Sequence, residues 1–138
     1  LGNICRSPMA EFIFKDMIKK QGIEDRFYVR SAATSNEEKG NPVYPPAKKK
    51  LAENGIGCDG KTAVKMTAED YKNYDYIIAM EKRNVENIMK INPSSSGLYR
   101  QEGRHLRPVV YKGFRQSVQR HTGRSYGIFK IFKAGQTV

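Results

Sequence analysis

The N-terminal stretch Leu1-Gly2-Asn3-Ile4-Cys5-Arg6-Ser7-Pro8-Met9-Ala10-Glu11 decides how the rest of the chain is read. Ser7-Pro8 has the form of a helix N-cap followed by the first helical residue. Ala10, Ile13, Phe14, Met17 and Ile18 then recur at helical spacing, so a helix with one apolar face is expected to run to Gly22. A short loop therefore opens a helix. Amide N–H groups at such a start lack intrahelical partners, and the helix dipole adds to them, so together they attract an anion. Gly2 lets the backbone curl, Arg6 brings a planar fork that matches two phosphate oxygens, and Ser7 has a hydroxyl to donate. By physics alone these residues make a phosphate cradle. They also fit an ordinary capped helix carrying a surface arginine.

Beyond Gly22, the chain alternates strand and helix signals. Phe27-Tyr28-Val29-Arg30 reads as a short strand running into Ser31-Ala32-Ala33-Thr34. Residues 34–46 are loop-like, with Asn36, Gly40, Asn41 and three prolines. A second helix is expected from Pro46 to Asn54, closed by Gly55, and Ile56-Gly57-Cys58 reads as a short strand or a turn. Thr67-Ala68-Glu69-Asp70 resembles a capping box with Asp in the place of Glu or Gln, heading a short helix to about Asn73. Asp75 to Met80 reads as a buried strand, and Glu81 to Ile91 as a helix ended by Asn92-Pro93. Strands alternating with helices imply βαβ units and a parallel sheet. Further on, Ile128-Phe129-Lys130-Ile131-Phe132 is apolar enough for one more strand.

A chain of 138 residues with 38% hydrophobic and 28% charged residues is one domain with a real core. No apolar run approaches the roughly 20 residues that span a bilayer, and the first residues lack the basic start and apolar stretch of a signal peptide. The chain also lacks an initiator Met and reads as truncated. Two cysteines, Cys5 and Cys58, make no disulfide framework, which implies a reducing cytoplasm. The net charge of +11 invites a nucleic-acid reading. Its distribution opposes one. From Tyr99 to Val138 there are nine Lys or Arg against the single acid Glu102, while the first 98 residues carry only +3. The composition shifts at the turn-like Asn92-Pro93-Ser94-Ser95-Ser96-Gly97.

Residues 1–11 closely resemble the signature C-L-G-N-I-C-R-S-P-M-A-E of low-molecular-weight protein tyrosine phosphatases. Ser31-Ala32-Ala33-Thr34-Ser35, Gly40-Asn41-Pro42 and Asp75-Tyr76-Ile77-Ile78-Ala79-Met80 are similar to the same family, in order, from residue 1 to about residue 98. The resemblance implies an α/β three-layer sandwich with a parallel sheet, and hydrolysis of phosphotyrosine through a phosphocysteine. It implies no metal and no organic cofactor. Partners would be a phosphotyrosine protein or small aryl phosphate, with inorganic phosphate as product and inhibitor; neither nucleic acid nor membrane is expected. Arg6 would clamp the transition state. The phosphate would sit among Leu1, Gly2, Asn3, Ile4, Cys5, Arg6 and Ser7, with Asn3 and Ser31 holding the loop's shape. Ser7 would stabilise the nucleophilic thiolate. Cys5 matches a second cysteine that can protect the nucleophile as a reversible disulfide, or simply packs beneath the loop. Loop 35–44, with Glu37 and Tyr44, would form the wall that selects substrate.

Two departures accompany the resemblance. The nucleophile of C-x5-R falls one residue before Leu1, together with the apolar strand that carries it. The general acid, an Asp-Pro followed by aromatics, is also absent: no Asp occurs after Tyr99. A slip of reading frame near residues 97–100 would explain the second. Arg107-Pro108-Val109-Val110-Tyr111 can be encoded CGA-CCC-GTG-GTA-TAC, which one base later reads Asp-Pro-Trp-Tyr. The expected organisation is therefore an incomplete phosphatase-like domain over 1–98, lacking its first strand. Residues 99–138 would be a basic, frame-shifted tail in which the final strand and helix are corrupted. The chain as written is expected to be inactive. Three other readings stand beside this one. A pseudoenzyme would capture phosphotyrosine without hydrolysis. An arsenate reductase would need cysteines that do not appear after Cys58. The basic tail, with Tyr111, Phe114, Tyr126, Phe129 and Phe132, would have to contact nucleic acid.

Overall fold

In the computed structural model, residues 2–74, 76–79, 82–93 and 128–133 are described. The first helix, α1 (Arg6–Lys20), starts two residues earlier than the Ser7-Pro8 pair suggests. Cys5 occupies the N-cap without a side-chain cap bond, and Ser7 lies inside the first turn, where its hydroxyl is used elsewhere. At the other end the chain leaves α1 through Gly22 at φ 67°. Gly22 N–H donates to Lys19 O (2.9 Å) and Ile23 N–H to Ile18 O (3.0 Å), the paired bonds of a Schellman stop. A single 3₁₀ turn, Glu24–Arg26, leads into β1 (Phe27–Ala32). The second helix, α2 (Pro45–Glu53), carries Pro in its first turn, where no N–H is missed, and ends at Gly55 with the same paired bonds as α1. Ile56-Gly57-Cys58 forms no strand; Ile56 and Cys58 are buried against α1 and α2 instead. Helix α3 (Ala68–Asn73) opens on the expected capping box, with Asp70 N–H donating to Thr67 Oγ1 (3.2 Å) and Thr67 N–H to Asp70 Oδ2 (2.8 Å). Strand β2 (Tyr76–Ala79), helix α4 (Lys82–Ile91) and strand β3 (Ile128–Lys133) complete the described elements.

The sheet order is β1-β3-β2. Strand β3 runs antiparallel to both neighbours, with Val29 opposite Ile131 on one side and Ile78 opposite Phe129 on the other. This corrects the expected all-parallel ladders. Strands β1 and β2 do share one direction, as strands joined through helical crossovers should. The place between them is taken by a strand from much later in the chain, arriving in the opposite sense. A parallel pairing survives in the bridge between Ala33 and Lys65.

The architecture is α/β and layered as expected. Side chains alternate across the sheet. Val29 and Ile78 face α1, joining Ala10 and Ile18 in one buried cluster. Ala32 and Ala79 face the opposite way and pack with Met66 and Ile88, next to Tyr71 of α3 and Val85 of α4. Helix α1 also buries its far flank: Ile13 joins Val43, Ala47, Leu51, Ile56 and Cys58. No helix among the described residues is long and apolar enough to cross a membrane. The region of the frame slip, the expected general-acid segment 107–111 and the aromatics Tyr111, Phe114 and Tyr126 lie outside the described residues, as does Leu1.

Candidate active site

The loop from Gly2 to Arg6 turns on Asn3, the sole non-glycine residue with positive φ among the described residues, at 61°. A left-handed conformation costs an L-residue on the order of 1 kcal/mol, and Asn tolerates it better than most because its short amide bonds locally. Here the amide is fully used. Nδ2 donates to Ser7 Oγ and to Ser31 Oγ, both at 2.8 Å. Oδ1 accepts from Val64 N–H at 3.2 Å. One buried side chain thus ties the loop to the first turn of α1, to β1 and to the segment that follows residue 61.

Ser31 passes the connection inward. It is completely buried, and both its hydroxyl (2.6 Å) and its N–H (2.8 Å) donate to Glu11 Oε2. The same oxygen meets Lys61 Nζ at 2.9 Å, and Glu11 Oε1 accepts from Lys15 Nζ at 2.6 Å. Lys61 also donates to Ser31 O at 3.0 Å. Burial pushes the Glu11 carboxyl up. The Lys61 charge and the bonds from Lys15, Ser31 and Lys61 outweigh it and hold the group below the usual carboxylate range. A buried carboxylate without such partners would not stay ionised.

Arg6 is the first residue of α1 and lies partly buried directly after the loop. Gly2 has no room for a side chain: a Cβ there would collide with Glu38 Cγ and Cβ. Residues 40–44 are tied to the loop and to the segment around Ala63. Tyr44 N–H donates to Ile4 O (2.6 Å), while Gly40 N–H donates to Ala63 O and Ala63 N–H to Asn41 O, both at 2.8 Å. The Tyr44 ring is half exposed. Glu37 is exposed, and it is the neighbouring Glu38 whose side chain packs on Gly2. No cluster of potential metal ligands occurs among the described residues.

The structure therefore brings together Gly2, Asn3, Ile4, Ser7, Ser31 and Tyr44, with Arg6 at the helix start. Sequence reading missed three contributors. Glu11 carried a hint, as an acid beside the apolar face of α1. Lys61 and Glu38 carried none, because their roles depend on loops whose course no local pattern fixes.

Comparison with known proteins gives the constellation its context. The family model described as low molecular weight phosphotyrosine protein phosphatase matches residues 1–107. The low molecular weight phosphotyrosine protein phosphatase of Schizosaccharomyces pombe is 42% identical over 97 residues, 70% of this chain and 62% of that protein. The Bacillus subtilis low molecular weight protein-tyrosine-phosphatase YfkJ is 41% identical over 88 residues, 64% of this chain and 56% of that one. The chain thus spans about three fifths of the length of these curated relatives. The crystal structure of YfkJ superposes with a TM-score of 0.69 at 30% identity, covering 88% of this chain and 84% of that one. That of the Streptococcus pyogenes low molecular weight protein tyrosine phosphatase superposes at 0.60 and 37% identity, covering 67% and 60%. With a family match that begins in the Asn3 loop and runs through α4, the chain belongs to the low molecular weight phosphotyrosine protein phosphatase family.

Proposed function

We propose that the protein represented by this chain hydrolyses phosphate monoesters of tyrosine, on proteins or on small aryl phosphates, through a phosphocysteine. The observation that carries this reading is Asn3 at φ 61°, locked by three hydrogen bonds at the mouth of α1. In this reading the locked loop offers its Gly2–Arg6 amides as an anion cradle, and a cradle formed in advance needs no reorganisation as charge develops. In this reading the thiolate of a cysteine preceding Leu1 attacks phosphorus, the bond to the phenolic oxygen breaks, and that oxygen takes a proton from a general acid. Water then attacks the phosphocysteine, releasing inorganic phosphate and restoring the thiolate. The cradle amides and the Arg6 fork hold the equatorial oxygens through both steps. Ser7 Oγ accepts from Asn3, which leaves its own proton to be donated toward the thiolate. Action in the cytoplasm belongs to the same reading, supported by the two free cysteines.

The test is hydrolysis of p-nitrophenyl phosphate and a phosphotyrosine peptide by full-length protein in which Cys precedes Leu1, with the 138-residue chain as the blank. Turnover is expected with a trappable phosphocysteine, and Arg6→Ala should lower kcat by about 10²–10³. Phosphate binding at the loop without turnover by the full-length protein would overturn hydrolysis in favour of capture alone.

A further inference from the structure

We propose that the cleft between the C-terminal half of α1 and β1 is a second anion site, taking a small aryl anion: one carboxylate or phosphate on a flat apolar body. The cleft has a volume of about 320 Å³, within the range of small-molecule sites. Its floor is apolar, made of Ile18, Phe27 and Val29, and the Phe27 ring is braced edge-on by Phe14 at 5.9 Å. Its polar lining is cationic: Lys15 and Lys19 from α1 and Arg30 from β1, against Glu24 alone.

Charge balance supplies an independent reason for an anion here. Glu11 is the carboxylate paired with Lys15 and Lys61 behind the cleft. Burial holds Lys61 below the ordinary lysine range; Glu11 opposes this, but the Arg30 and Lys15 cations push in the same direction as burial. Several positive charges therefore lean on one acid. Lys19 has no ion-pair partner among the described residues. Burial pulls the Arg30 guanidinium down, but Tyr28, whose hydroxyl accepts from Nη1 at 3.3 Å, with Tyr74 and Glu11 holds it above its ordinary range, so it stays fully cationic beside the cleft. An anion seated in the cleft would meet the Lys19 and Arg30 cations while its body covers Ile18 and Phe27. The half-exposed Tyr28 ring forms one wall. Thirteen residues of helix, about 20 Å, separate Lys19 from Arg6, so the site is distinct from the cradle and its occupancy does not depend on the chemistry proposed there.

The test is a ¹H–¹⁵N NMR titration of the full chain carrying Arg6→Ala, which disables the cradle, with benzoate, phenyl phosphate, inorganic phosphate and benzyl alcohol as probes. Saturable shifts at Ile18, Lys19 and Phe27–Arg30 are expected with benzoate and phenyl phosphate. Inorganic phosphate should bind more weakly and benzyl alcohol not at all. Lys19→Ala with Arg30→Ala should weaken binding by about a hundredfold, two charge-assisted contacts at about tenfold each. Lys19→Glu alone, at an exposed position, gives the same reading should the double variant fold poorly. The proposal is overturned by shifts confined to Gly2–Ser7, by equal response to benzyl alcohol, or by binding indifferent to Lys19→Glu.

Discussion

Asn3 Nδ2 lies 2.8 Å from Ser31 Oγ, joining the Gly2–Arg6 loop to a strand residue 28 positions away. Ser31 has spent its own proton on Glu11, so it must accept from Asn3. The donor direction runs one way, from loop to strand to buried carboxylate, and each member leaves the next a single choice. A loop residue strained at positive φ is thereby held by the protein interior.

Asn3→Ala and Asn3→Gly separate backbone strain from hydrogen bonding. Both lose the three amide bonds, and each strands the buried Ser31 and Ser7 hydroxyls and the part-buried Val64 N–H. Glycine keeps the left-handed conformation at no steric cost, whereas alanine does not. Asn3→Ala should cost about 2–4 kcal/mol in urea unfolding, and Asn3→Gly about 1 kcal/mol less. Both should weaken phosphate binding in a fluorescence or NMR titration. Equal stability of the two variants would show that the φ of 61° stores no strain.

Glu11 makes stability sensitive to acid. Its carboxyl lies below the usual range when folded and near 4.3 when unfolded, so the unfolded chain binds more protons between those values. Its contribution is complete above the unfolded pKa and is lost as pH falls through the folded one. Urea unfolding from pH 7 to pH 2 should show this acid limb, and Glu11→Gln should flatten it. At neutral pH, Glu11→Ala should destabilise by about 3–5 kcal/mol, because it leaves Lys61 charged, buried and unpaired.

Much of the architecture was legible because its causes are local. The apolar spacing of α1, the Thr67–Asp70 capping box and the glycine stops at Gly22 and Gly55 each act within a few residues, and the elements appear within a residue or two of where they were expected. Strand order is not local. Nothing in Ile128–Lys133 says that it will lie between β1 and β2, or in which direction, since that depends on pairing across some fifty to a hundred residues. The same holds at the site. Asn3 and Ser31 were picked out through their resemblance to a family motif, while Ser7 was misread as a cap because its sequence neighbourhood carries cap chemistry. Lys61 reaches Glu11 from a loop without periodicity, and no property of its own neighbours marks it.

The contact between Gly2 and Glu38 predicts coupling across the site mouth. A Cβ at Gly2 would collide with Glu38 Cγ and lie 2.7 Å from its Cβ, so the loop carrying Glu38 must shift, not merely rotate a side chain. That shift would pull on the bond from Asn41 Nδ2 to Glu38 Oε2. Gly2→Ala should therefore weaken phosphate binding, and Glu38→Ala should recover part of the loss. A double-mutant cycle on phosphate affinity checks this: additive effects would mean that the two residues do not compete for the same space.

The two cysteines should separate cleanly by reactivity. Cys58 is 4% exposed, packed with Leu51 and Ile56, and burial pushes its thiol above the ordinary range against the opposing pull of Lys48. Thiolate is the reactive species, so both its scarcity and its burial protect Cys58. Cys5 lies at the N-cap of α1 and is only partly buried. Iodoacetamide at pH 8 should modify Cys5 first. Cys58 should react only through opening of the α1–α2 core, at the rate of a free thiol multiplied by the open fraction. Urea below the unfolding midpoint should then accelerate Cys58 labelling in proportion to that fraction, and leave Cys5 nearly unchanged. Peptide mapping of the alkylated protein distinguishes the two. Prompt labelling of Cys58 in the native protein would mean that the cluster around Leu51 opens without global unfolding, and that α2 moves independently of the loop that Tyr44 holds.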